Sequence, residues 1–117
     1  MKKKILFVAV LFLLSNCEAI FVENISDQKV ILLAPTNNSE VVTGTIEFNW
    51  KKNTDAIEYE VQIAKPNFTN TSQIVLDSIT TSSVISKILE IGEYEWRVKA
   101  LNSDFSTNYS TNSFSVN

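Results

Sequence analysis

From Tyr94 to Ala100 every second residue is apolar or aromatic (Tyr94, Trp96, Val98, Ala100), with Glu95, Arg97 and Lys99 between them. Successive side chains of an extended chain point to opposite faces, so this alternation dictates a strand with one dry face and one wet face. Two further segments follow the same rule. Ile57, Tyr59, Val61 and Ile63 alternate with Glu58, Glu60 and Gln62, and Ile46, Phe48 and Trp50 alternate with Glu47 and Asn49. No segment carries a sustained helical period. The constraint is therefore topological: several half-wet strands must stack their dry faces on one another.

Less regular apolar runs predict further strands over 29–33, 73–77, 84–88 and 113–116. Turn chemistry separates them: Pro35-Thr36-Asn37-Asn38-Ser39 ends the first, and Lys51-Lys52-Asn53-Thr54-Asp55 divides the second from the third. Lys65-Pro66-Asn67 closes the third, and Ile91-Gly92-Glu93 introduces the sixth. Seven short strands in about ninety residues predict an all-β fold, a seven-stranded antiparallel β-sandwich over residues 29–117. Its expected core is Ile46, Phe48, Trp50, Tyr59, Val61, Ile63, Tyr94, Trp96 and Val98, closed by Leu76, Ile85, Leu89, Phe114 and Val116. With one cysteine there is no internal disulfide, so large aromatics must supply the burial.

Gly44-Thr45-Ile46-Glu47-Phe48-Asn49-Trp50, Tyr59-Glu60-Val61-Gln62-Ile63-Ala64 and Leu89-Glu90-Ile91-Gly92-Glu93-Tyr94-Glu95-Trp96-Arg97-Val98-Lys99-Ala100 together resemble a fibronectin type III-like (immunoglobulin-like) domain. The resemblance implies structural roles for Trp50, Tyr59, Tyr94 and Trp96. Tyr94 would form a tyrosine corner, its hydroxyl bonding to backbone just upstream. It also implies that the third and sixth strands pair, so that Glu58 and Glu60 share a wet face with Arg97 and Lys99. The loops 51–55 and 102–112 would then lie at the N-terminal pole, with Phe68 at the other pole, apart from Phe105 and Tyr109.

The N-terminus carries an address. Lys2, Lys3 and Lys4 precede an apolar run from Ile5 to Leu14, and Ser15, Asn16 and Cys17 follow. This is the layout of an export signal, and the run is too short for a membrane-spanning helix of roughly 20 apolar residues. Leu14-Ser15-Asn16-Cys17 resembles the lipobox of bacterial lipoproteins, although Asn16 stands where Gly or Ala is usual. The resemblance implies a signal peptide over 1–16, lipidation at Cys17 and a tether over 17–28. An ordinary cleaved signal, with Cys17 a bystander, is the competing reading. Glu18 after the cysteine points by the same resemblance to the outer membrane of a Gram-negative bacterium. Whether Ile20, Phe21, Val22 and Ile25 pack on the domain is open at this level.

Removal of residues 1–16 takes three lysines from ten basic residues and leaves seven against thirteen acidic, a net charge near −6. So acidic a module is a poor partner for nucleic acid. The chain has no histidine, and its single cysteine lies in the leader region, so no Cys/His zinc set and no nucleophile–base pair can be assembled. Neither an enzyme nor a cofactor is expected. Asp77-Ser78-Ile79 matches a short bacterial O-glycosylation pattern at Ser78. Asn67, Asn70 and Asn108 head N-glycosylation triplets that a bacterial lipobox makes ordinary loop residues. The expected function is a non-catalytic, lipid-anchored interaction or spacer module of the cell envelope. Its strand edges and loops would meet an envelope protein or a polysaccharide, and its oligomeric state stays open. A carbohydrate-binding accessory lipoprotein is the alternative.

Overall fold

A computed structural model of the chain describes residues 21–117; residues 1–16 and Cys17 lie outside them. The described residues form eight strands: β1 (Leu32–Ala34), β2 (Ser39–Val41), β3 (Gly44–Trp50), β4 (Glu58–Lys65), β5 (Gln73–Thr80), β6 (Val84–Leu89), β7 (Gly92–Leu101) and β8 (Ser110–Val116). They make two sheets, ordered β1-β3-β6 and β2-β8-β7-β4-β5. The architecture is an all-β sandwich, as the alternation demanded.

The strand count is eight rather than seven, and one pair is parallel rather than antiparallel. After β1 the chain passes Pro35, and Asn38 adopts a left-handed backbone (φ 62). β2 therefore runs along the opposite sheet, parallel to β8, with Ser39 opposite Phe114 and Val41 opposite Val116. The turn that the sequence suggested as a strand end is a crossing between layers. Asn38 donates its N–H to the Ser113 carbonyl, and the Asn37 side chain accepts from Ser113 N–H at 2.9 Å, which fixes that crossing. Gly44 opens β3 at φ 129, a conformation in which a side chain would be strained.

The core is aromatic. Phe48 meets Trp96 edge-on at 5.2 Å and Phe114 at 5.6 Å, while Trp50 meets Tyr59 at 5.5 Å. Tyr94 stacks on Phe114 at 5.5 Å. The Trp96 indole N–H donates to the Pro35 carbonyl at 3.1 Å, tying the larger sheet to the crossing. The Trp50 indole N–H is buried with no hydrogen-bond partner among the described residues. Leu76 and Ile85 are half-buried against the core rather than inside it, and Val30, Ala64 and Ala100 join it. Ile57 precedes β4 and is 60% exposed, so the dry face of that strand begins at Tyr59. Ile25 is fully buried, so packing reaches further toward the N-terminus than residue 29.

All four sheet edges are blunted. β1 and β2 are three residues each. Lys87 on β6 stands in register with the core residue Ile46, an inward-pointing charge on an edge strand. On β5 the register jumps between Ile63 and Ala64, leaving Val75 bulged. Short strands, inward charges and bulges are the devices that stop an edge recruiting another chain.

Candidate functional site

The outward face of the five-stranded sheet gathers the chemistry. β4 and β7 are central neighbours, with Glu60 opposite Lys99 and Gln62 opposite Arg97. Glu58, opposite Leu101, lies on the same face one pair further along, so Glu58 and Glu60 share it with Arg97 and Lys99. The Lys99 ammonium lies 3.4 Å from one Glu60 oxygen, and the Tyr109 hydroxyl donates to the other at 2.6 Å.

Arg97 is clasped. Its guanidinium lies over the Phe68 ring at 3.9 Å and over the Tyr109 ring at 4.1 Å, and Lys99 lies 4.9 Å from the same Tyr109 centroid. Its Nε donates to Gln62 Oε1 at 2.8 Å, and the Gln62 amide reaches Glu60 and Asp77 at 3.3 Å each. Phe68 is held by its own backbone N–H, which donates to Glu95 Oε1 at 2.9 Å, while Ser113 donates to the other Glu95 oxygen. The loop after β4 thus folds over the sheet face instead of standing apart at the far pole. That overturns the expected separation of Phe68 from Tyr109. Phe105 packs against the core and stays out of the group.

Electrostatics fix the protonation states. The Tyr109 hydrogen bond, with Lys99 and Arg97 adding their charge, holds the Glu60 carboxyl below its usual range against a smaller opposing effect of burial. Burial, with the Glu60 hydrogen bond and charge adding to it, pushes the Tyr109 hydroxyl up to about 12. At neutral pH the pair is therefore a carboxylate accepting from a neutral phenol. A carboxylate so stabilised is a poor proton donor, the reverse of the raised acid that glycoside hydrolysis requires. Among the described residues no group of three or more acidic, His or Cys side chains is placed to hold a metal ion.

The remaining residues singled out by sequence fall elsewhere. The Tyr94 hydroxyl donates to the Glu90 carbonyl at 2.8 Å, four residues upstream. The Tyr59 hydroxyl accepts from Asn53 N–H at 2.8 Å and pins the loop between β3 and β4. Ser78 is half-buried on β5, opposite Val61. At the N-terminal pole the Asn102 amide donates to the Glu23 carbonyl at 2.8 Å and to the Asp55 carbonyl at 3.3 Å, so both expected loops meet the entering chain there.

No protein-family model matches the sequence, and no curated protein matches it. Solved structures do match. A crystal structure of FN3tt aligns with a TM-score of 0.53 at 14% identity, covering 75% of this chain and 95% of that one. A human fibronectin type III domain, derived from the KIAA0970 protein, gives 0.54 at 12% identity over 75% and 72% of the two chains. The fold is that of a fibronectin type III domain. CopC from Methylosinus trichosporium OB3b is similar at the same level, with a TM-score of 0.52, 14% identity and coverage of 75% and 93%. In this fibronectin type III fold the clasped Arg97 sits on the face of the larger sheet, clear of the other layer. The sequence carried one signal of the clasp, Arg97 on the wet face of its strand, but none of which aromatics would reach it.

Proposed function

We propose that the chain is a non-catalytic, lipid-anchored module of the bacterial cell envelope, held through Cys17 in the outer membrane of a Gram-negative cell, that binds or spaces another envelope component. The observation that carries this reading is the outward face around Arg97. Its side chains are cross-braced by stacking, hydrogen bonds and an ion pair, which gives a firm, polar, aromatic surface of the type proteins use for recognition. The blunted edges favour contact through that face over strand addition. The placement in the envelope is supported by the Lys2–Cys17 sequence.

A carbohydrate-binding role draws support from one observation: Phe68 and Tyr109 share a face. The ring surfaces nearest Arg97 are taken by its guanidinium, which favours a protein contact over a flat sugar platform.

Two measurements test the reading. Mass spectrometry of the chain from membranes should give an acylated N-terminus at Cys17; an unmodified chain starting elsewhere removes the anchor. A photo-crosslinking residue at Ile79, which neighbours Glu60 on this face, should trap one discrete envelope protein in intact cells. Absence of any adduct, together with a saturable glycan-array signal lost in Tyr109→Ala, would replace it with the carbohydrate reading.

A further inference from the structure

The chain enters the sandwich at the pole formed by the β3–β4 and β7–β8 loops, where three lysines gather in one groove. Lys29, Lys51 and Lys52 are three of the seven basic residues that follow Cys17. All three are exposed and line one open groove of about 310 Å³, together with Gln28, Ile31, Asn53, Thr54 and Asp55. Asp55 is the one acid in the groove; Glu23, Asp27 and Asp104 are exposed in neighbouring segments. Phe21, the first described residue, is 91% exposed, and Ile57 beside the same loops is 60% exposed.

The entering segment is stitched down. Ile25 is buried, the Gln28 N–H donates to the Ile25 carbonyl at 2.9 Å, and Asn53 Nδ2 donates to Gln28 Oε1 at 2.7 Å. Asn102 holds Glu23, which is six residues along the chain from Cys17, a separation that can span at most about 20 Å.

We propose that this pole rests on the phospholipid surface, with headgroup phosphates in the Lys29/Lys51/Lys52 groove and Phe21 and Ile57 at the interface. The inference rests on the Cys17 anchor. A leash that short makes headgroup contact effectively intramolecular, so even weak ammonium–phosphate pairs are populated. A domain with net negative charge would otherwise be pushed from an anionic surface, and turning the groove downward sets three lysines against one acid there, which lessens the repulsion locally. The Arg97 face, on the flank of the sandwich, stays open to partners.

The test uses the chain purified from membranes and reconstituted into phosphatidylglycerol-containing or pure phosphatidylcholine vesicles. Amine acetylation is then read lysine by lysine by mass spectrometry. On anionic vesicles Lys29, Lys51 and Lys52 should label at least about threefold more slowly than on phosphatidylcholine, while Lys65 is unchanged, since surface attraction acts only within a Debye length. In the Lys51→Glu/Lys52→Glu variant, whose loop positions leave the core intact, Lys29 should lose its protection while the chain still floats with the vesicles. Equal labelling of all four lysines on both lipids overturns the proposal. A chain that does not float at all defeats the anchor first, and the contact with it.

Discussion

The Arg97 guanidinium lies 3.9 Å from the centre of the Phe68 ring, a contact that brings the β4–β5 loop down onto strand β7. Tyr109, from the approach to β8, takes the same guanidinium at 4.1 Å. Three separate segments are thereby joined over one sheet face by a single cation. Cation–π contacts at exposed sites are worth about 0.5–1 kcal/mol each. Arg97→Ala should therefore lower unfolding stability by about 1–2 kcal/mol, and Arg97→Lys should recover little of it because an ammonium cannot lie flat over two rings. Urea denaturation measures both; a loss within a few tenths of a kcal/mol would show that the stack contributes nothing.

The Glu60–Tyr109 pair gives stability a defined pH dependence. Glu60 titrates lower in the folded chain than in the unfolded one, so its contribution is complete above the ordinary carboxylate value and fades as pH falls through the folded value. Tyr109 titrates higher when folded, so its contribution is complete below 10.0 and fades as pH rises toward about 12. Tyr109→Phe should shrink both limbs of the stability–pH curve. Ultraviolet difference titration of the parent chain and the variant should differ by one late-ionising phenol, that of Tyr109.

The two tryptophans should respond differently to the same change. Truncation to Ala at either should cost about 3–5 kcal/mol through the cavity left behind. Trp96→Phe also removes a hydrogen bond to Pro35, whereas the Trp50 indole N–H has no partner among the described residues to lose. Trp96→Phe should accordingly be the more damaging of the two Phe substitutions by about 1 kcal/mol. Equal thermal and urea shifts would contradict the bonding difference.

Ile25 tests whether the entering segment belongs to the domain. A fully buried Ile replaced by Ala should cost about 2–4 kcal/mol. Asn102→Ala should leave the core intact while raising amide exchange over residues 23–28, because it removes the carbonyl clamp on Glu23. If Ile25→Ala melts like the parent chain, the segment is only a leash.

Much of the architecture was legible in local pattern. The alternation in β3, β4 and β7 fixed which residues face inward, because the side-chain period of an extended chain is two whatever its neighbours are. Tyr94, Trp50 and Trp96 stood out for the same reason. Local pattern could not say that Pro35–Asn38 carries the chain from one sheet to the other, since a turn signal ends a strand without stating where the next one pairs.

What the amino-acid order determined by itself was the set of half-wet strands and hence a sandwich with an aromatic core. What only the tertiary structure decided was the company kept on its surface: Phe68 and Tyr109 around Arg97, Ile25 beneath the entry pole, Lys87 turned inward at an edge. Those contacts join residues far apart in the chain, so they are set by strand order and loop path, which no short window of sequence encodes.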